Sequence, residues 1–325
     1  MENIFFSIIK SADEVISRGL LRILGERNSL VTFLFHSLFE NSAELKKNYK
    51  DPMEETTVSD FRCFLDYFME HNYAFVSPSN ISDGLDNHGK YALITFDDGY
   101  ANNLLALPIL KEFNVPAIFF IASDHIKSGR TFWWDVLFRE RSRRGANAQE
   151  IQDERAMLKN MTSQDIVSHL EHDFGSQAFV PLGDSDRPMT IAELKEMAHE
   201  SLVTLGNHTS SHAILTNHTE QGVREEIDSC QLFIETLTGA RPGVISYPNG
   251  NYSDSVVRIA SELGLRLGLT VVPRKNNLPL ASDYEMMRLG RFIPYGNADL
   301  NRQFELMRAD FRIGKSLARK VKGGY

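Results

Sequence analysis

The chain has 325 residues, 42% of them hydrophobic, with 43 acidic against 35 basic side chains and a net charge of −8. That is enough chain to bury a full core, and its sign excludes a general nucleic-acid binder. Two cysteines, Cys63 and Cys230, stand far apart in no metal-type spacing, so they read as free, buried thiols with no sign of an oxidising compartment.

Residues 1–28 carry Ile4, Phe5, Ile8, Ala12, Val15 and Ile16 at helical spacing, which predicts a packing helix with a membrane-surface face as the alternative. The short apolar run Ile4 to Ile9 follows Glu2 rather than positive charge, so no secretion signal is expected. No run approaches the ~20 apolar residues that cross a bilayer, and a cytoplasmic protein is expected. Leu30 to Phe35 reads as a buried strand ending at His36. A helix is expected over Val58 to Asn72, a short strand and turn over Ala74 to Pro78, and a strand over Tyr91 to Phe96. A helix over Ala101 to Phe113 and a strand over Ala117 to Ala122 follow. This alternation favours a parallel or mostly parallel sheet.

Residues 124–190 break the rhythm and read as a helical insertion over one face of the sheet. From Ile191 the alternation resumes, with strands expected at Val203–Leu205, Val244–Ser246 and Arg266–Val271 between helices. Residues 301–325 form a basic, amphipathic tail, with Arg308, Arg312, Lys315 and Arg319 around Leu306, Ile313 and Leu317. Such a face is either solvated or docks on an acidic membrane surface.

Three short stretches carry chemistry. The strand over Tyr91 to Phe96 ends in Asp97, Asp98 and Gly99, where the glycine turn can bring two carboxylates to one pocket. Asp-Gly alone is equally a hairpin turn. His208 and His212 stand four apart in His-Thr-Ser-Ser-His, a spacing that can aim both imidazoles at one ion, although lone surface histidines share it. Asp98 supplies the third donor of a site with open positions for water and substrate, suited to zinc or another first-row divalent ion. The third, Ser246-Tyr247-Pro248-Asn249-Gly250, follows a strand. It is a turn on its own, but it can also present the Asn249 N–H to an oxyanion.

Together these stretches resemble the polysaccharide deacetylases with the NodB homology domain, carbohydrate esterase family 4, over roughly residues 30–295. The resemblance implies an α/β fold, a distorted (β/α) barrel carrying the helical insertion, flanked by the N-terminal helix and the basic tail. It implies hydrolysis of N-acetyl groups from amino sugars with a divalent metal, zinc first and Co²⁺, Ni²⁺, Mn²⁺ or Fe²⁺ as alternatives. Asp97 is then the general base, and Asp98, His208 and His212 are the metal ligands. Thr209 matches the hydroxyl position after the first histidine.

Two departures matter. No histidine follows His218, so the usual C-terminal acid is missing; His36, at the end of Phe33-Leu34-Phe35, matches the circularly permuted poly-N-acetylglucosamine deacetylase-like members instead. The arginine that usually precedes the third motif's proline is also replaced. Met287-Arg288-Leu289-Gly290 resembles a Pro-Arg-Ile-Gly segment, making Arg288 the expected support for Asp97, with Arg291 as competitor. Trp133, Trp134 and Asp135 resemble a Trp-Trp-Asp segment that some members carry. The indoles suit a sugar face and Asp135 its hydroxyls, while both tryptophans equally fit as anchors of the insertion to the barrel; Tyr247 and Pro248 are expected beside them at the substrate. With a cytoplasmic location the substrate is expected to be a nucleotide- or lipid-linked amino sugar in surface-polysaccharide assembly. An N-deformylase of the same fold and a non-catalytic saccharide-binding module are the competing readings.

Overall fold

Uninterrupted apolar runs build the centre, because strands covered on both faces have no polar side to alternate with. In the computed structural model, which describes residues 2–310 except 52, 281 and 297, two of them become β1 (Ser29–Phe35) and β3 (Lys90–Phe96). These pair in parallel from Ser29 with Lys90 to Phe35 with Phe96. β4 (Ala117–Ile121), β5 (Val203–Asn207), β6 (Val244–Ser246) and β7 (Leu267–Leu269) extend the sheet in parallel on the β3 side. β2 (Ala74–Phe75) pairs parallel with the start of β3, and β8 (Asn276–Asn277) pairs antiparallel with the start of β1. The order is β7-β6-β5-β4-β3-β1-β8.

An irregular segment draws the two sides together. Leu289 bridges to Leu269 beyond one edge and Phe292 to Phe33 on the other, both in the parallel sense. Thr270 N–H donates to Leu289 O at 2.8 Å, Phe292 N–H to Thr32 O at 2.8 Å, and Leu34 N–H to Phe292 O at 2.9 Å. β7 carries glycine where this segment begins, since a Cβ on Gly268 would stand 2.4 Å from Met287 O. The result is a distorted (β/α) barrel.

The helix Val58–Glu70 begins at a Thr57/Asp60 capping box and buries Phe61, Phe64, Leu65 and Phe68 against β1 and β3. Phe33 and Phe64 meet edge to face at 4.6 Å. Within 124–190, three main helices, Trp133–Arg143, Ala148–Leu158 and Ser163–Phe174, share a separate apolar core that includes Val136, Leu137, Ile151, Leu158, Ile166 and Leu170.

Several expectations change. A short helix, Pro78–Asp83, replaces the turn after β2, because Ser77 and Asn80 cap its start. Residues Ala101–Leu105 are a 3₁₀ turn before the helix Ala106–Phe113. Cys230 is buried, but Cys63 lies exposed on the outer side of its helix. At the C-terminus the helix is Leu300–Arg308, and the tail residues 311–325 lie outside the described residues. Arg308 does not belong to a free basic face, since it donates to Glu26 Oε1 at 2.8 Å and Tyr67 Oη at 2.9 Å. This helix pairs with the N-terminal helix Glu2–Leu24 through Arg18 and Arg22 on Glu305. Among the described residues no helix is long and apolar enough to cross a membrane.

Candidate active site

The strands' C-terminal ends converge, as in other parallel β/α barrels where strand ends supply fixed side chains to one cleft. β3 delivers Asp97 and Asp98, β5 delivers His208, β1 delivers His36, and β6 leads into Asn249. Asp98 has φ 75° and Gly99 φ 84°, so the chain turns sharply at the strand end and both carboxylates are buried. His212 follows His208 across a loop in which Thr209 and His212 themselves have positive φ, 62° and 55°. That cost is borne by fixed partners. Asn207 Oδ1 accepts from Thr209 N–H at 2.8 Å, Thr209 Oγ1 from Ala213 N–H at 2.8 Å, and Glu226 from the Ser211 hydroxyl at 2.7 Å.

Asp98 Oδ1 lies 3.3 Å from His208 Nε2 and 3.3 Å from His212 Nε2. It is buried and has no hydrogen-bond partner. Two donors bound at 2.0–2.1 Å to one tetrahedral ion stand about 3.4 Å apart, so these spacings fit a shared ion. His208 Nδ1 donates to Ser246 O at 2.8 Å, which leaves Nε2 free to ligate. Burial lowers the His212 pKa, favouring the neutral ring a metal requires. Burial opposes ionisation of Asp98, yet the two histidines hold its carboxyl well below the usual range. These three side chains are a candidate site for a divalent metal ion.

Asp97 faces a different partner. Arg291 Nη1 donates to Oδ1 and Nη2 to Oδ2, both at 2.8 Å, and Ser246 Oγ donates to Oδ2 at 2.8 Å. Burial works against the charge, but Arg291 above all, with His208 and His36, keeps Asp97 below the ordinary carboxylate range. His36 Nδ1 sits 2.6 Å from Glu54 Oε1. Burial pushes the ring's pKa down, but Glu54, then Asp98 and Asp97, raise it to about 9. Glu54 had no signal in the sequence: it sits in an irregular loop, and its approach depends on the bridge between Phe39 and Thr57.

A family model described as polysaccharide deacetylase matches residues 84–268. The chain belongs to the polysaccharide deacetylase family. YxkH of Bacillus subtilis (strain 168), named for that same family, is 22% identical over 219 residues, 66% of this chain; the chain spans 58% of that relative. Among solved structures, the Streptococcus pyogenes deacetylase PplD in complex with acetate is 17% identical with a TM-score of 0.59. It covers 86% of this chain and 99% of its own. IcaB from Ammonifex degensii is 18% identical with a TM-score of 0.57, covering 87% and 97%. At these identities the structures speak for the fold.

Within this member of the family, several expected site residues stand elsewhere. Arg288 does not reach Asp97: its guanidinium lies over the Tyr284 ring at 3.2 Å and its Nε donates to Tyr284 O. Arg291 takes that place because the closing segment turns it inward. Tyr247 is wholly buried and donates to Met287 O at 3.0 Å, so its side chain packs the barrel, and Pro248 is buried beside it. Asp135 is not offered to a ligand; it accepts from Tyr100 Oη at 2.6 Å and from Asp51 N–H at 3.0 Å. Burial raises its pKa to about 7. Trp133 and Trp134 do line a cavity of about 100 Å³ together with His36, Asp98, His212 and Asn249. Trp134 also packs on the His212 ring at 4.5 Å.

Proposed function

We propose that this polysaccharide deacetylase hydrolyses an N-acetyl group from an amino sugar, in surface-polysaccharide assembly, with a divalent ion, zinc first, held by Asp98, His208 and His212. The observation that carries the reading is the buried Asp98 oxygen, 3.3 Å from each imidazole nitrogen and without a hydrogen bond, beside a second carboxylate clamped by Arg291. When bound, the ion supplies Lewis-acid polarisation of the amide and lowers the pKa of water.

The chain's own residues do the rest. Asp97, kept ionised by Arg291, accepts a proton from the attacking water. Asn249 lines the cavity with φ 57°, and its N–H is the proposed donor to oxygen as the carbonyl becomes tetrahedral. His36 lines the cavity with Nδ1 taken by Glu54, so its Nε2 is the proposed acid that, protonated, gives its proton to the departing nitrogen. The C–N bond breaks as a C–O bond to water's oxygen remains, leaving acetate and a free amine. Trp133 and Trp134 offer apolar faces to the sugar ring.

The test is acetate and amine release from N-acetylated sugars, run with metal analysis on wild type, Asp97→Asn and His36→Ala. Turnover lost in both variants with the metal retained supports the reading. Formate rather than acetate release from matched substrates would mark a deformylase, and wild-type sugar binding without turnover would leave a binding module.

A further inference from the structure

The insertion puts two cations into the wall of the catalytic cavity. Arg155 and Lys159, at the end of the helix Ala148–Leu158 and just past it, line the space that Asp98, His36 and His212 also line. The turn that carries Lys159 is anchored to the far side: Asn217, shortly after the histidine loop, donates to Lys159 O at 2.8 Å and Met161 O at 3.0 Å. The backbone at Lys159 is thus fixed by the turn that follows the histidine loop.

The charges in this wall do not balance. Asp51 pairs with one arm of Arg155, but Arg155 Nε is buried without a hydrogen-bond partner. Among the described residues no ion pair holds the Lys159 ammonium. Burial, and then the charge of Arg155, hold it below the usual lysine range. Asp98 is the single carboxylate in the lining, and its oxygen belongs to the metal site. His36 has its own counter-charge in Glu54. A half-buried cation without a partner is costly unless a ligand supplies the opposite charge.

We propose that Lys159, with Arg155 beside it, forms an oxyanion-binding subsite, and that the substrate is an amino sugar bearing a phosphoryl or carboxylate group. Its catalytic part rests on the deacetylase reading; the anion subsite rests on the cavity's charges. The chemistry excludes a neutral homopolymer as the best substrate and selects charged saccharides, including phosphate-linked precursors.

The experiment compares N-acetylglucosamine, its 1-phosphate and N-acetylmuramic acid with wild type, Lys159→Met and Lys159→Arg, all checked for folding by thermal melting. Acetate release gives kcat and KM, and calorimetry gives binding independently. A charge-assisted contact predicts a KM about tenfold lower for a charged sugar in wild type, lost in Lys159→Met, with kcat little changed. Lys159→Arg should keep most of the preference, and the neutral sugar should not respond to either change. Preference confined to the phosphate or to the carboxylate would identify the substituent. Equal turnover of all three sugars, or equal losses on charged and neutral ones in Lys159→Met, would overturn the subsite and leave the deacetylase reading intact. Lys159-dependent binding of a charged sugar without acetate release would do the reverse.

Discussion

Arg291 grips Asp97 through two parallel hydrogen bonds of 2.8 Å, and its Nη2 also donates to Ser246 Oγ at 2.8 Å. Arg291 has no exposed surface and Asp97 is 2% exposed, so neither charge is balanced by solvent. The planar fork fixes both the ionisation and the direction of the carboxylate, which a single ammonium cannot do.

Arg291→Lys is therefore expected to lower kcat/KM on the order of a hundredfold, the scale of a misplaced general base. Arg291→Met leaves a buried carboxylate uncompensated and should cost about 3–5 kcal/mol of stability, read by denaturant unfolding. Arg288→Met, acting on a residue stacked against Tyr284, should leave activity within about twofold. An equal loss from Arg288→Met would return the supporting role to that residue.

Glu54→Gln tests the His36 pair through pH. The ring's pKa is about 9 in the folded chain against ~6.5 unfolded. Stability from the charged ring is then fully present below ~6.5 and is lost as pH rises through about 9. In metal-free protein the variant should show less of that loss between those values. In metal-loaded enzyme its alkaline activity limb should move to lower pH if His36 is the acid. An unmoved limb would take His36 out of that role.

The distinction between Arg288 and Arg291 shows where the sequence stops being readable. Asp98 and His208 were legible as candidate ligands because each sits at a strand end, where a local apolar run fixes its place; His212 was legible only by its spacing from His208. Arg291 lies in a segment without period that bridges Leu269 and Phe33, and its direction follows from closing the barrel. Tyr247 failed for a related reason. An aromatic beside Pro-Asn-Gly reads as a turn residue facing a ligand, yet its hydroxyl reaches back to Met287 on that same closing segment. Asp135 reads as a sugar acceptor until Tyr100, 35 residues earlier, is seen to occupy it. Pattern reports elements and strand ends; it does not report which buried polar groups have already been satisfied by distant ones.

Tyr100, directly after the Asp97-Asp98-Gly99 turn, joins that turn to the insertion by this bond. Trp134 Nε1 donates to Tyr100 Oη at 2.8 Å, and Tyr100 Oη donates onward to Asp135. Tyr100→Phe would leave an indole N–H without its acceptor and Asp135 without one donor, costing about 1–3 kcal/mol. Because Trp134 packs against His212, metal affinity should fall as well. Zinc titration beside thermal melting separates the two effects; unchanged affinity with lowered stability would confine Tyr100 to packing.

Metal binding itself yields the sharpest expectation for Asp98. Wild type should take up one Zn²⁺ per chain, and zinc at a hundredfold over its Kd should stabilise the fold by about 2.7 kcal/mol, with a chelator reversing the shift. Both histidines must be neutral to ligate, so affinity should weaken as pH falls. Asp98→Ala removes the one oxygen that stands 3.3 Å from both ring nitrogens, and should abolish the zinc-dependent shift while the apo fold survives. Arg288→Met, on the outer side of the closing segment, serves as the matched control. A zinc response that persists in Asp98→Ala would place the ion elsewhere and separate the histidine pair from the Asp-Asp turn.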